Sequence, residues 1–367
     1  MARTLSADLF TPEVATEYAF SRFTERLLLF QMAMSGMMGS PISVIPPGNL
    51  SEEGERLVMP FFTRIANLVT RRDLTSTAAP APLKLAGSTK GMVVMRGKIG
   101  PIEISSDSAK TSRATDAQIN AAIGKQAGEE MAKYVQDMMF RIIFASLGLT
   151  FDGVSHVVDY YAPFAATKSS TTVVNNTISL GMVNRGKALL ADYMQELNTM
   201  LIRSEIAADL VDQNLAQGYD SIAGYTALTG NVRSLGLGDP LVMDNALMKS
   251  SNPSGSRTGS GSGTGTASYD LLRTLLLGPN AGVLTFPHDL TMTVQGPLTD
   301  GEAPYLRILG GFDFAFMLNG AGWKSGSAAN PTAVQVADST NYEDVTTGGH
   351  REVMAAVIEC NQLADAA

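Results

Sequence analysis

The stretch from Gly181 to Ala188 has the glycine and lysine spacing of a phosphate-binding loop. It reads GxxxxGK, and it lies between a predicted strand and a predicted helix, which is the setting that such a loop requires. Ala188 stands where the motif carries the hydroxyl that holds magnesium. An enzyme that binds a nucleotide through Gly181, Gly186 and Lys187 is therefore one hypothesis, and an ordinary turn from strand to helix is its alternative.

Other catalytic and metal-binding patterns are missing from the sequence. The three histidines, His156, His288 and His350, lie far apart and none begins an HExxH run. The single cysteine, Cys360, excludes an internal disulfide and a cysteine-rich zinc site. No GxGxxG or GxSxG motif is present. The leading expectation is therefore a protein without catalytic residues, cofactor or metal.

Charge and composition argue against a dedicated nucleic-acid binder and against a membrane protein. The chain has 27 basic and 35 acidic residues among 367, a formal net charge of −8, whereas proteins held to nucleic acid by counterion release are usually basic. No apolar stretch reaches about 18 residues, and the N-terminus lacks a signal-peptide pattern. We expect a soluble chain that is made in the cytoplasm. Charged residues are only 17%, below the roughly 25% usual for soluble domains, so something other than charge must cover much of its surface.

The N-terminal segment is predicted to form an apolar helix. Thr11 and Pro12 have the residue types of a helix start, and apolar residues continue to Phe30 before a methionine-rich stretch and a run of prolines. Two interpretations stay open: a first helix of the core, or an arm on a neighbouring subunit that makes contact through Phe20, Phe23 and Leu27.

Residues 55–107 are predicted to form a long two-stranded projection. Its first strand runs from Arg56 to Phe62, and Pro60 favours an edge position. A lone hairpin is marginal in water, so it needs support from a partner. The projection carries Lys84, Lys90 and Lys98, and the stretch from Leu74 to Thr111 around these lysines has no aromatic residue for stacking on bases. These lysines are therefore expected to contact acidic patches on other copies of the chain.

The clearest predicted element is a helix that begins after Thr115 and ends near Gly148. Apolar residues recur in it at steps of three or four, which predicts one face on a sheet and one face in water. Beyond it we predict a strand from Thr171 to Leu180, a helix from Lys187 to Met200 and a short helix from Glu205 to Leu215. The Ser-Gly-Thr run at 250–268 cannot bury apolar area and predicts an exposed loop.

Three short stretches resemble the major capsid proteins of tailed bacteriophages, which have the Hong Kong 97 type fold. The first is Val58-Met59-Pro60-Phe61-Phe62, before the projection. The second is residues 202–210, similar to the entry of the family's axial lobe. The third runs from Trp323 to Val345, where one branch of the family usually has tryptophan at the position of Tyr342. The order of elements also matches.

The resemblance implies an α+β fold of four parts. These are an N-terminal arm at 1–54, an extended hairpin or E-loop at 55–107, a peripheral domain at 108–198 and 331–367 that holds the long spine helix and a closing strand from Glu352 to Glu359, and an axial domain at 199–330. Some relatives join an E-loop lysine to an asparagine of the next subunit, and Lys90 and Asn361 are the conceivable counterparts.

The function that the resemblance implies is that of a subunit of an icosahedral head shell around viral double-stranded DNA. Its partners would be many copies of itself in hexamers and pentamers, together with scaffolding, portal and decoration proteins, and it would contact the DNA without sequence specificity. It would be located in the virion. A protein-cargo nanocompartment of the same fold is the nearest alternative, and the nucleotide-binding enzyme is the alternative from another class.

Overall fold

The computed structural model describes residues 11–26, 40–46, 51–53, 56–62, 87–105, 115–159, 178, 180–194, 196–197, 199–208, 210, 239–243, 245–252, 269–298, 305–346 and 349–363. Their helices are α1 (Pro12–Arg26), α2 (Asp116–Leu147), α3 (Leu180–Ala188) and α4 (Ala333–Val336). Their strands are β1 (Ile42–Val44), β2 (Ser51–Glu53), β3 (Arg56–Phe62), β4 (Gly87–Ser105), β5 (Thr150–Phe151), β6 (Val154–Ser155), β7 (Val157–Asp159), β8 (Thr199–Ile202), β9 (Asp239–Val242), β10 (Lys249–Asn252), β11 (Tyr269–Leu277), β12 (Gly282–Leu298), β13 (Tyr305–Leu318), β14 (Ala321–Trp323), β15 (Tyr342–Asp344) and β16 (Ala355–Leu363).

The long helix α2 has the ends that its sequence predicts. The Thr115 hydroxyl accepts a hydrogen bond from the backbone N–H of Gln118, and the Gln118 side chain accepts one from the Thr115 N–H. This capping box satisfies two N–H groups that a helix start leaves free. At the other end, the Gly148 N–H donates to the Phe144 and Ala145 carbonyls. The prediction of a helix between Thr115 and Gly148 is confirmed.

A six-stranded sheet, the first sheet, lies against α1 and α2. Its strand order is β1-β12-β13-β4-β3-β2. Residues 87–93 of β4 pair with β3, and residues 94–105 pair with β13. The predicted strand from Arg56 to Phe62 is confirmed, but the hairpin does not stand alone as expected, because β13 of the same chain continues the sheet beyond β4.

The side of the first sheet that faces the helices is aromatic. Phe314 is buried there, and Tyr134 of α2 stands edge-on to the rings of Phe312 and Phe314 at 6.2 and 6.0 Å. The Phe312 ring lies over Gly97 on the neighbouring strand, where even a methyl group would overlap it. A glycine here therefore makes room for a large core side chain.

The second sheet joins five strands in the order β7-β16-β11-β8-β9, with β10 on β11. One face carries Leu201, Leu275 and Val357 into the core beside α2. The opposite face carries Ile202, Leu276 and Ile358 into a separate cluster with α3 and the helical residues 204–208, and the rest of that cluster is mainly Val183, Leu190, Met200, Ile206, Leu272, Ala356 and Cys360. Both faces of this sheet are covered.

Several predicted elements differ from the structure. Leu180 begins α3 rather than ending a strand, and residues 171–177 lie outside the described ranges. The predicted helix from Lys187 to Met200 is wrong, because α3 ends at Ala188 and Met200 pairs with Leu276 in the second sheet. Residues 204–208 are helical as predicted. The predicted loop at 250–268 is wrong at its start, because residues 250–252 belong to β10 and pair with β11, while 253–268 and 211–238 lie outside the described chain.

Strand pairing also divides the chain differently from the predicted domains. Residues 282–318, which the prediction assigns to the axial part, pair with β4 in the first sheet beside α2. The closing strand, which the prediction assigns to the peripheral part and begins at Glu352, begins at Ala355 and lies in the second sheet against β11. A boundary at residue 330 therefore separates strands that are hydrogen-bonded to each other.

Candidate functional site

The predicted phosphate-binding loop is part of a helix. Residues 181–187 all lie within α3, so their N–H groups do not form the open loop that such a site needs. A side chain at Gly186 would meet Leu276 and Ile358 at 2.9 and 3.2 Å, so this glycine lets α3 approach the second sheet. Lys187 is buried, and burial lowers its pKa. The nucleotide-binding hypothesis is therefore corrected, because residues 181–187 are helical and Gly186 allows α3 to pack closely on the second sheet.

Helix α1 crosses α2 at unusually short range. A Cβ atom at Gly124 would lie 2.5 Å from the Ala15 carbonyl oxygen, and one at Gly128 would lie 2.2 Å from that of Ala19. Ala15 and Ala19 are fully buried at this crossing. Small residues spaced four apart on both helices thus allow the two backbones to touch. The sequence prediction missed this contact, although two glycines inside a long helix are costly and need a packing reason.

Charged side chains close the edge of the same crossing. The Arg22 guanidinium donates hydrogen bonds to one Glu129 carboxylate oxygen at 2.7 and 2.9 Å, and Arg26 lies 3.4 Å from the same oxygen. The hydrogen bond from Arg22 lowers the pKa of the Glu129 carboxyl. The face of α2 that was predicted to be in water is therefore partly covered by α1.

The aromatic residues predicted to contact a neighbouring subunit have different environments. Phe23 is fully buried, edge-on to Phe286 of β12 at 5.7 Å, in the core of its own chain. No surface of Phe23 is left for another subunit, so the intersubunit prediction is corrected at this residue. Phe20 remains 47% exposed on the outer side of α1, together with Val14 and Tyr18. Leu27 lies outside the described residues.

The three lysines predicted to contact other copies of the chain also have different environments. Lys84 lies outside the described chain. Lys90 is half-buried in β4, where burial lowers its pKa and the nearby Glu352 of the same chain opposes that shift. Lys98 is exposed on the outer face of the first sheet, two residues beyond the exposed Arg96. Lys98 is thus a described basic side chain of β4 that is exposed to solvent.

The outer face of the first sheet is polar along β12 and β13. Thr291 and Thr293 are exposed, and Arg307 of β13 donates hydrogen bonds to Glu103 of β4 at 2.8 and 3.1 Å. No helix among the described residues packs on this part of the face. A flat polar strand surface of this kind is suited to contact with another protein.

The stretch from Trp323 to Val345, the third that resembles the capsid family, is a compact unit. Strands β14 and β15 pair, and the ring of Trp323 stands edge-on to Tyr342 at 5.1 Å. The Tyr342 hydroxyl donates to the Val336 carbonyl at 2.8 Å, and burial raises the pKa of Tyr342. Thr332 caps α4 through a second capping box with Gln335. A tyrosine therefore fills a packed position at residue 342.

An ionic cluster lies at the edge of the second sheet. Arg203 donates a 2.8 Å hydrogen bond to Glu205 and another to the Asn245 carbonyl, and Lys249 lies 3.4 Å from Glu205. The hydrogen bond from Arg203 lowers the pKa of Glu205 to about 2. The Asn245 side chain donates to Asp137 of α2, so the cluster connects the second sheet to the long helix.

No site of chemistry assembles in the described ranges. They contain no group of three potential metal ligands, and none of the described helices is long and apolar enough to span a membrane. What they do present is an open strand face and an exposed aromatic helix edge beside a well-packed core. These surfaces are suited to contact with other proteins.

Comparison with known proteins identifies the class of this protein. Residues 15–354 match the family described as Gp13-like, major capsid protein 13-like. The chain belongs to this family. It is a structural protein of the phage head shell, not an enzyme, and its place is in the virion. A search of curated proteins gives no match.

Solved phage capsids have a similar fold. The capsid of Ralstonia phage GP4 matches with a TM-score of 0.50 and 12% identity, over 89% of this chain and 89% of that chain. Mycobacterium phage Adephagia gives 0.47 and 12%, over 87% and 88%. The capsid of cyanophage Pam1 gives 0.47 and 12%, over 86% and 87%. The match to the Ralstonia phage GP4 capsid shows that the mixed helix and strand fold is like that of a phage capsid protein.

Proposed function

We propose that this chain assembles as hexamers and pentamers into an icosahedral shell that encloses double-stranded DNA. The observation that carries the proposal is the family match over residues 15–354. The net charge of −8 also supports it, because a wall without basic stripes lets packaged DNA slide rather than adhere. Scaffolding, portal and decoration proteins are the further partners that we propose for such a shell.

The proposed parts of the subunit follow the sheets rather than a single cut in the sequence. We assign α2 and the first sheet, including 282–318, to the peripheral domain, and the second sheet with β16 to the axial domain. The support is strand pairing, since β12 and β13 bond to β4, whereas β16 bonds to β11. The hairpin of β3 and β4 is the proposed base of the E-loop.

Two surfaces are proposed to contact neighbouring subunits. One is the outer side of α1 with Phe20, and the other is the outer face of β4 with Lys98. Phe20 supports this because a ring that is 47% exposed is a large apolar surface to leave in water. Lys98 supports it because a cation beside Arg96 is complementary to the acidic surface of another copy.

Assembly of the full chain tests the proposal. We expect sedimentation velocity and electron microscopy to show closed particles when the chain is produced with its scaffolding partner. Particles from infected cells should contain nuclease-protected double-stranded DNA. Small species under every condition would exclude a shell, and particles filled with protein cargo would instead identify a nanocompartment.

A matched pair of variants tests the α1 surface. Phe20→Ser should lower particle yield about tenfold or more while circular dichroism and the melting temperature of the free subunit stay unchanged, because small losses add over many identical contacts. Glu17→Ser, at another exposed position of α1, is the control and should assemble normally. Normal assembly of Phe20→Ser would remove this surface from the proposal.

A further inference from the structure

Two histidines from distant parts of the chain meet inside the protein. His156 precedes β7 and is fully buried, and His350 begins the short helical turn His350–Glu352, here called the His350 turn. Their rings stand edge to face with centroids 5.6 Å apart. Phe151 closes the other side of His156 at 5.4 Å. The pair therefore lies at the junction of the turn after α2, strand β7 and the start of β16.

Hydrogen bonding defines which nitrogen of His156 carries the proton. Its Nδ1 lies 2.7 Å from the Ala355 carbonyl oxygen. A carbonyl can only accept, so Nδ1 is the donor and Nε2 is bare in the neutral ring. Neither Nε2 of His156 nor the buried Nδ1 of His350 has a hydrogen-bond partner in the described structure. Each ring of the pair thus has one buried nitrogen without a hydrogen-bond partner. Protonation turns a bare ring nitrogen from an acceptor into a donor.

A proton on His156 would be poorly tolerated in this place. Burial is the main cause that lowers its pKa, and the neighbouring His350 ring lowers it further, while the backbone of Ala355 and of His350 opposes the shift. A charge on one ring also disfavours a charge on the other, because like charges at this distance repel. The buried ring of His156 is therefore accommodated best when it is neutral.

The charged groups on the elements around the pair are Arg351 and Glu352 on the His350 turn, Asp152 on the turn after α2, Asp344 on β15 and Lys90 on β4. The Asp152 carboxylate lies beside Gly349, which precedes His350. Among the described groups, His350 alone acts electrostatically on His156. The Asp344 carboxylate is already engaged by the Asp152 N–H at 3.1 Å.

The His350 turn has a connection beyond the pair. Its Glu352 attracts Lys90 of β4, which pairs with Met59 of β3 in the hairpin. At its other end, the Val353 N–H donates to the His350 carbonyl, and Val353 packs over Gly320. Displacing the turn would therefore also withdraw Glu352 from the hairpin.

We propose that His156 and His350 form an acid-sensitive latch, which holds the His350 turn against β7 and β16 at neutral pH and releases it when His156 is protonated. The release exposes the start of β16 and separates Glu352 from Lys90. The device does not depend on how subunits are arranged in a shell, so it can be tested on the free subunit.

Hydrogen exchange of the full chain measures the latch. The neutral form of His156 is favoured in the folded state, so protection is complete above about pH 6.5, the ordinary histidine value, and is lost as pH falls below it. We expect amide exchange of residues 349–358, corrected for intrinsic rates, to accelerate up to about tenfold per pH unit below that value. Exchange that stays constant from about pH 7.5 to about pH 5 would overturn the proposal.

The remaining histidine supplies the control. His288 is exposed on the first sheet, so His288→Gln should keep the acid response in full, whereas His156→Phe should abolish it. If His156→Phe fails to fold, NMR of the wild-type chain with labelled histidine rings still tests the protonation of His156. The ring of His156 is expected to titrate below the ordinary histidine value of about 6.5, and titration at or above that value would contradict the latch.

Discussion

Along β13 of the first sheet, buried and half-exposed residues largely alternate from Tyr305 to Phe314, whereas in β16 of the second sheet all six residues from Ala355 to Cys360 are buried. The cause is the number of covered faces. Helices α1 and α2 cover one side of the first sheet, and among the described residues the other side is open except at one end, where Leu57, Met92, Val283, Ala315 and Met317 form a smaller buried cluster. The second sheet lies between the core beside α2 and the cluster around α3.

This difference explains where the molecule can change without unfolding. An antiparallel sheet with one open face tolerates polar residues at every second position, while a sheet covered on both faces needs apolar residues throughout. The open face of the first sheet is thus available for contact with other subunits. Both faces of the second sheet are buried within the same chain, so its side chains stabilise that chain.

A scan of neighbouring positions gives the largest expected effect. Leu275 and Leu276 point to opposite faces of the second sheet, and both are fully buried. Each change to alanine should lower the free energy of unfolding by about 2 to 5 kcal/mol. In the first sheet, Phe314→Ala should cost about 3 to 5 kcal/mol, while Thr291→Ala should stay within about 0.5 kcal/mol. Urea denaturation is the measurement, and a costly Thr291→Ala would show that the outer face is covered.

The seating of α1 on α2 should give the next largest effect. Gly128→Ala places a methyl group 2.2 Å from the Ala19 carbonyl oxygen, which is rigid helix backbone. Overpacking of this kind costs about 1 to 3 kcal/mol, and the better helix propensity of alanine offsets about 1 kcal/mol of it. We expect a net loss of thermal stability and weaker hydrogen-exchange protection in α1. Lys125→Ala, on the exposed side of α2, is the control and should not destabilise the chain.

The ionic cluster of the second sheet should produce a pH effect of about 1 kcal/mol, since the partly exposed side chain is screened by solvent. The pKa of Glu205 is lowered to about 2 by Arg203, so its contribution is fully present above the ordinary glutamate value and is lost as pH falls towards about 2. Glu205→Gln should therefore reduce the acid dependence of unfolding in this range. An unchanged slope between the two proteins would show that the ion pair does not stabilise the fold.

The smallest effect is expected on the open face of the first sheet. Arg307 and Glu103 form an exposed ion pair at 2.8 Å, and such pairs contribute about 0 to 1 kcal/mol. Glu103→Gln should change the unfolding midpoint slightly at low salt and not at high salt. A loss larger than this would indicate that the pair is shielded from water and that this face is not open in the subunit.

Local signals in the sequence predicted some elements closely. The ends of α2 follow from Thr115, Gln118 and Gly148, because capping depends on residues within one turn of the helix end. The strand at Arg56–Phe62 follows from its β-forming residues and Pro60. The resemblance to phage capsid proteins rested on short stretches of this kind, and the family match agrees with it.

The candidate site was less predictable. Gly181, Gly186 and Lys187 have the spacing of a phosphate-binding loop, yet the same spacing suits a helix that packs closely on a sheet. Met200 has helix-forming neighbours but pairs in a strand, since the second sheet offers hydrogen bonds and burial there. Phe23 was expected to reach a neighbour because nothing near it in sequence could cover it. Its partner, Phe286, is more than 250 residues away.

Signals within a few residues of each other in the sequence predicted where the long helix begins and ends and that Arg56–Phe62 is extended. The composition showed that charge is too sparse and too acidic for a dedicated nucleic-acid binder. Tertiary structure decided the rest. It brought Gly124 and Gly128 against Ala15 and Ala19, joined residues 282–318 to β4, and placed His156 beside His350. The physical reason is that caps and periodicity act within a few residues, whereas close packing and the burial of polar atoms depend on which distant segments meet.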